Sequence, residues 1–173
     1  MIRAWRSIAV NIVVFVLLQV FVMNNIHLFG IVISFVYLYI ILKLPVDISR
    51  TSIILISFFT GLIIDVFSNT FGMHAAACTV AGFVRTPLLD RFVDVREVTD
   101  GSIPSYKLFG LGKFVRYTVL VVSIHHIALF AIESFSFFQP ALMITRLLSS
   151  ILFTLLLIFI LEALNFSLFR RGE

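Results

Sequence analysis

The sequence predicts an all-α integral membrane protein with six transmembrane helices and both termini in the cytoplasm. Hydrophobic residues make up 61% and charged residues 13% of the 173 residues, against roughly 45–50% and 25% in soluble globular proteins. Apolar runs close to the ~20 residues that cross a bilayer recur along the chain. The basic residues fall in the gaps between those runs. We therefore expect residues 1–173 to form a single transmembrane domain.

The first three predicted helices cover residues 5–23, 28–44 and 49–67. Basic residues precede the first run, but no small-residue cleavage site follows it, so we expect a spanning anchor rather than a signal peptide. The second helix is predicted to end before Pro45, because proline cannot continue a helix interior without the loss of a backbone hydrogen bond. The third leads into a polar turn at 68–71.

The last three predicted helices cover residues 72–84, 114–138 and 141–169. The fourth is the shortest, and its continuation past Arg85 and Pro87 is left open. A charged segment with several turn residues, at about 85–113, separates the fourth and fifth helices. We expect a cytoplasmic loop there, with a short surface helix.

The distribution of Lys and Arg predicts the orientation. Twelve of the thirteen fall on one side of the six-helix topology, namely Arg3, Arg6, Lys43, Arg50, Arg85, Arg91, Arg96, Lys107, Lys113, Arg116, Arg170 and Arg171. Basic residues accumulate on the cytoplasmic side of membrane proteins, so this side is expected to be cytoplasmic. Because the bases lie between spans rather than on one face of a folded domain, nucleic-acid binding is excluded.

Four polar residues on successive helices are expected to lie at one depth near the outer side. They are Asp65, His74, Glu133 and Arg146. A charged group in hydrocarbon costs about 2.5–3.5 kcal/mol even on insertion scales, so these side chains are expected to meet as a charge-paired cluster. The alternative for Glu133 and Arg146 is that they reach the headgroups, since both lie near helix ends.

Small residues predict close packing of the third and fourth helices. Ser57, Gly61 and Asp65 share one helix face, and Ala75 to Cys78 with Gly82 supply small residues on the next helix. Small side chains let helix backbones approach in lipid, where no hydrophobic force drives association. Gly61, Gly72 and Ala75 are the candidate packing residues. A close helix pair without further function explains them adequately.

Secondary candidates lie on the fifth and sixth helices. His126 shares a face with Glu133, His125 is turned away by about 100°, and Glu162 is expected to border an inner polar layer. A metal or proton-relay site is one interpretation, but no HExxH or other metal spacing is present. The favoured interpretation is that these histidines lie in the interior of the bundle with their hydrogen bonds satisfied.

Enzyme motifs are not found. The chain has no GxSxG elbow, P-loop or zinc signature, and Asp65 lacks the second aspartate motif expected of an intramembrane aspartyl protease. We therefore expect a non-enzymatic protein without a cofactor.

The residues of the third and fourth helices resemble those of the MreD family of bacterial rod-shape membrane proteins. The resemblance consists of G-x-x-x-D at Gly61 and Asp65, G-x-H-A from Gly72 to Ala75, and a fifth helix that ends with Glu133 in FAIESFSFF. It extends over nearly the whole chain when length and layout are included.

The resemblance implies a scaffold in the cytoplasmic membrane that helps to organise peptidoglycan synthesis along the cell cylinder. The implied partners are MreC directly and, through the complex, MreB, RodA and a penicillin-binding transpeptidase. The implied fold is similar to that of the substrate-binding subunits of energy-coupling-factor vitamin transporters, and a transport role is the alternative. The first helix, AVNIVVFVLLQV, lacks the A-x-x-x-A face of many such subunits. Bound lipid and a homodimer are left open.

Overall fold

The computed structural model describes residues 2–23, 32–92, 101–134 and 140–170, and its regular elements over these residues are all helices. They are α1 (Ile2–Phe21), α2 (Leu38–Leu42), α3 (Arg50–Ser68), α4 (Met73–Phe92), α5 (Tyr106–Phe109), α6 (Leu111–Ser134) and α7 (Pro140–Arg170). Within the described residues, three segments are long and apolar enough to cross a membrane, namely Arg50–Ser68, Leu111–Ser134 and Ala141–Leu164. The prediction of an all-α protein with membrane-spanning helices is confirmed at this level.

Local sequence explains where α3 and α7 begin and end. The Ser49 side chain accepts a hydrogen bond from the Ser52 N–H (3.2 Å), which satisfies one free donor at the start of α3. Asn69, with φ of 54°, ends the same helix in the left-handed region that asparagine tolerates. Pro140 opens α7, where its missing N–H costs nothing.

The polar segment between α4 and α6 is shorter than predicted. α4 continues through Pro87 to Phe92, and α6 already begins at Leu111. The predicted short helix corresponds to α5, while residues 93–100 lie outside the described residues. Arg85 therefore belongs to a helix and not to a surface loop.

Neighbouring long helices run antiparallel. Gly61 in the second half of α3 contacts His74 and Ala75 at the start of α4, and the earlier Ser57 meets the later Gly82. Likewise, Cys78 early in α4 lies near His125 late in α6, and Arg146 early in α7 acts on Glu133 at the end of α6. We call the end with turn 69–72 the hairpin end, and the end with residues 43–50 and 101–110 the loop end.

The beginning of α1 and the last turns of α7 lie at the loop end. Ile8 packs against Leu44 and Ile53, which flank the connection into α3. Glu162 of α7 contacts Lys43 at the same end. The first and last long helices therefore both reach the loop end, while residues 1 and 171–173 lie outside the described residues.

The prediction of a second helix at 28–44 is largely wrong for the residues that the structure describes. Residues 32–37 are irregular, only the five residues Leu38–Leu42 are helical, and 28–31 lie outside the described residues. Residues 35–42 are nonetheless buried, with relative exposures of 0–6%. Hydropathy detects burial but does not distinguish a helix from an irregular segment enclosed by other helices. Irregular backbone at membrane depth is tolerated only where protein or a water-filled cavity surrounds it.

Gln19 of α1 pairs with the irregular segment as a neighbouring strand would. Its Nε2 donates to the Ser34 carbonyl (2.8 Å), and its Oε1 accepts from the Val36 N–H (2.9 Å). The side chain is fully buried. One carboxamide thus satisfies a backbone carbonyl and a backbone N–H that have no partner within a helix.

Two hydroxyls of α7 satisfy the other face of the same segment. The Ile33 N–H donates to Ser150 Oγ and the Phe35 N–H donates to Thr154 Oγ1, each at 3.1 Å. Residues more than one hundred positions apart in sequence therefore complete the hydrogen bonding of this backbone. The segment depends on α1 and α7 for its conformation.

Replacement of Gln19 by Leu should destabilise the fold strongly. The substitution keeps the size of the side chain but leaves the Ser34 carbonyl and the Val36 N–H without this partner, at a combined cost of about 2–5 kcal/mol. Thermal unfolding in detergent measures the effect. Asn11→Leu is the matched control, since Asn11 is an exposed amide on the same helix and should change stability by less than about 0.5 kcal/mol. Equal stability of the two variants would contradict this role of Gln19.

A second prediction concerns Gly61. A Cβ at this position would lie 2.6 Å from Ala75 Cα, so Gly61→Ala must push α3 and α4 apart at a cost of about 1–3 kcal/mol. In Gly112→Ala the new Cβ meets no atom within 4 Å, and stability should stay equal or rise by up to about 1 kcal/mol. Parallel melting curves of the two variants test the contact. A Gly61→Ala protein as stable as Gly112→Ala would refute it.

Candidate functional site

Asp65 caps the start of α4 from the neighbouring helix. Its carboxylate accepts the His74 N–H (3.0 Å), the Ala75 N–H (2.8 Å) and the Thr70 hydroxyl (2.5 Å). These amides belong to the first turn of α4, where N–H groups lack helical partners and the helix dipole favours an anion. Gly72 precedes that turn and has no side chain to cap it. The buried acid is thus compensated by backbone donors.

Tyr37 joins the irregular segment to two histidines. Its hydroxyl lies 2.9 Å from His74 Nδ1 and 3.0 Å from His125 Nε2, and all three residues are buried. Phe35 packs against them with tilted or edge-on ring contacts, and its ring centroid lies 5.0–6.0 Å from those of Tyr37, His74, His125 and His126. We call Phe35, Tyr37, His74, His125 and His126 the aromatic centre. It connects the irregular segment with α4 and α6.

The direction of the hydrogen bonds in this centre follows from proton counting. The Tyr37 hydroxyl has one proton, so it can donate to at most one of the two histidines and must accept from at least one. His125 Nδ1 has no partner among the described residues. A buried N–H without an acceptor is rarer than a buried lone pair without a donor. We therefore assign the His125 proton to Nε2, which donates to Tyr37, and Tyr37 in turn donates to His74 Nδ1.

His126 belongs to a separate chain of hydrogen bonds. Its Nδ1 lies 2.8 Å from the Val122 carbonyl, which only accepts, so this nitrogen carries the proton. Its Nε2 must then accept, and the Thr154 hydroxyl donates to it at 3.2 Å. Thr154 Oγ1 also accepts the Phe35 N–H. The neutral His126 side chain is hydrogen-bonded at both nitrogens.

A second polar group lies at the loop end. Lys43 Nζ pairs with Glu162 at 2.8 Å and donates to the Pro104 carbonyl at 2.6 Å. The Tyr39 hydroxyl donates to the same carboxylate at 2.9 Å. Both charged side chains are less than 10% exposed, so the additional hydrogen bonds offset part of their desolvation. This group ties the 101–105 segment and α7 to α2.

Arg85 is completely buried in α4. Its Nη2 donates to the carbonyls of Leu44 and Pro45, two and three residues beyond the end of α2. These carbonyls belong to a buried segment outside any helix, and the cation satisfies them. The Nε and Nη1 groups have no hydrogen-bond partner among the described residues. The sequence suggested a loop base that orients the protein, whereas the structure gives Arg85 a position in the interior.

The four predicted cluster residues fall into two pairs. Asp65 and His74 meet through the carboxylate and the backbone N–H of His74. Glu133 and Arg146 are both partly buried, and the Arg146 charge acts electrostatically on Glu133. Asp65 is not hydrogen-bonded to Arg146, because its oxygens are occupied by Thr70, His74 and Ala75.

The predicted packing residues have different roles. Gly61 and Ala75 lie at the crossing of α3 and α4. Gly72 has φ of 78° and no atom within 4 Å of a built Cβ, so it serves the turn and not a helix contact.

Sequence reasoning did not single out several residues that the structure makes central. They are Gln19, Tyr37, Tyr39, Ser150 and Thr154. Gln19 had a usable signal, since it is the only polar residue in the apolar run 12–23. The hydroxyl residues had none, because Ser and Thr are common in apolar helices and their partners lie far away in sequence. Within the described residues, no group of three or more His, Cys, Asp or Glu side chains could hold a metal ion.

Asp65→Asn should reduce stability, because the amide keeps one acceptor oxygen for two backbone amides and a hydroxyl. We expect a loss of about 1–3 kcal/mol in the free energy of unfolding. Asp90→Asn is the control, since its exposed pair with Arg50 at 3.4 Å contributes at most about 1 kcal/mol. Denaturant titration in detergent measures the free energy of unfolding of both variants and tests this difference. An Asp65→Asn protein that matches the parent would show that capping of α4 is dispensable.

Comparison of the chain with protein-family models, with curated proteins and with solved structures finds no match. Proposals about function therefore depend on the geometry and on the resemblance seen in the sequence.

Proposed function

We propose that this chain is a non-enzymatic membrane scaffold of the MreD type, which acts through a fixed shape. The observation that carries the proposal is that its buried polar side chains bind other parts of the same chain. Gln19 binds the irregular segment, Asp65 binds α4 and Glu162 binds Lys43. Side chains engaged in this way specify packing. A rigid surface is what a scaffold offers to its partners.

The residues of the resemblance support the proposal because they form one structural unit. Gly61 allows α4 to approach, Asp65 caps it, and Gly72 makes the turn between them. The pattern G-x-x-x-D followed by G-x-H-A thus has a physical explanation as a helix hairpin. The proposal includes six spans, both termini in the cytoplasm, the bacterial cytoplasmic membrane and a fold like that of energy-coupling-factor substrate subunits.

The proposed direct partner is MreC, with MreB, RodA and a penicillin-binding transpeptidase reached through the complex. Apolar side chains are exposed along α1 and α7, among them Val13, Leu17, Leu152 and Leu156. In lipid such a face accommodates either acyl chains or the single helix of a partner. A second copy of the chain could use the same faces.

Co-purification from a rod-shaped bacterium tests this function. The full chain, extracted in mild detergent, should retain an MreC-like protein with one transmembrane helix, and its depletion should convert rods into spheres. Arg146→Ala and Asp65→Asn should capture less of that partner, because both alter the hairpin end, while Asp90→Asn at the loop end should capture as much as the parent. Cells that keep their shape without the protein would contradict the proposal.

A transport subunit is the second candidate, and the irregular segment favours it. Broken helices at membrane depth often form binding sites in transporters, and residues 32–37 are of this kind. Against it, α1 exposes the large side chains of Val10, Val14 and Leu17 where a small-residue face would dock an energising partner. Recovery of an ATPase or a vitamin in the purification, instead of an MreC-like protein, would support transport.

A further inference from the structure

The exposed face of α6 begins with two basic residues. The exposed side chains follow helical spacing, in the order Lys113, Arg116, Leu120, Ile127 and Ala131. The opposite face, with Phe114, Tyr117, Val121 and His125, is buried. Since Leu120 and Ile127 lie on a membrane-spanning segment and are 39% and 55% exposed, their face is turned toward lipid. Lys113 and Arg116 are therefore on the lipid-facing side.

The depth of these bases follows from the length of α6. Its 24 residues extend about 36 Å at about 1.5 Å per residue, which exceeds the ~30 Å hydrocarbon core. The first turns at the loop end therefore reach the level of the headgroups. Lys113 and Arg116 have no acidic partner among the residues that the structure describes. Two cations thus stand where lipid phosphates lie.

α4 contributes a third exposed base at the same end of the bundle. Its exposed residues Val80, Phe83 and Pro87 lead to the exposed Arg91 at the loop end, and α4 packs directly against α6. The adjacent acid Asp90 is already paired with Arg50. The exposed Asp47 is a further acid at this end. Among the described residues, the cationic charge on the lipid-facing side of α4 and α6 therefore exceeds the acidic charge at this end.

We propose that Lys113, Arg116 and Arg91 form a binding surface for the headgroup of an anionic phospholipid. The phosphate pairs with the bases, and the acyl chains lie along Leu120 and Ile127 in the same helical register. Exposed Leu108 and Leu111 provide apolar contact beside the headgroup. An acidic peptide would pair with the bases but would make no contact with the apolar residues Leu120 and Ile127 further along the same face. A lipid, which has both a charged headgroup and acyl chains, is therefore the better fit.

Electron paramagnetic resonance of spin-labelled lipids tests the surface with the full chain in bilayers. The quantity measured is the association constant of labelled phosphatidylglycerol relative to labelled phosphatidylcholine. We expect the parent to prefer phosphatidylglycerol, and Lys113→Gln and Arg116→Gln each to lower that preference about fivefold. Arg50→Gln, made in an Asp90→Asn background so that no acid is left unpaired beside Arg91, removes one exposed charge at the same end. It should leave the preference of that background within about twofold.

Three results would overturn the proposal. The first is an unchanged preference in both α6 variants, and the second is an equal loss in Arg50→Gln, which would reduce the effect to net charge. The third is displacement of the labelled lipid by millimolar inorganic phosphate, which would indicate a site for a free anion. Persistence of the preference in Lys113→Arg would support recognition of charge at this position.

Discussion

The fold depends on how an irregular backbone is satisfied inside a bundle of apolar helices. In lipid, an unpaired N–H or C=O costs several kcal/mol, and a helix avoids this cost by internal hydrogen bonds. Residues 32–37 are not helical and therefore lack these internal hydrogen bonds. Gln19, Ser150 and Thr154 replace it with side-chain partners from the first and last long helices. Their contacts hold α1 and α7 together around this segment.

The two polar groups at opposite ends of the bundle extend the same principle. At the hairpin end, Asp65 is stabilised by the free amides of a helix start. At the loop end, Lys43 and Glu162 neutralise each other and take further hydrogen bonds from their surroundings. Between these two ends, the Tyr37 hydroxyl forms hydrogen bonds with two histidines, His74 and His125. Each polar group is buried because a specific partner reaches it, which favours a single packing arrangement over several similar ones.

Sequence alone predicted the parts of the fold that local rules govern. α3, α6 and α7 begin within a few residues of the predicted positions, because apolar length, capping residues and proline act locally. The 28–44 segment could not be predicted, since its conformation is decided by hydroxyls more than one hundred residues away. The cluster expected of Asp65, His74, Glu133 and Arg146 overlooked a nearer partner for Asp65, namely the backbone at the start of α4, nine residues on. Hydropathy predicted which segments are buried, but it did not predict which groups form hydrogen bonds with the buried polar atoms.

Hydrogen–deuterium exchange of the protein in lipid nanodiscs tests the central claim most directly. If side chains truly complete the hydrogen bonding of the irregular segment, the amides of Ile33, Phe35 and Val36 should exchange as slowly as those in the middle of α6. Exchange of these amides as fast as that of the exposed residues Gly101 and Ile103 would contradict the account.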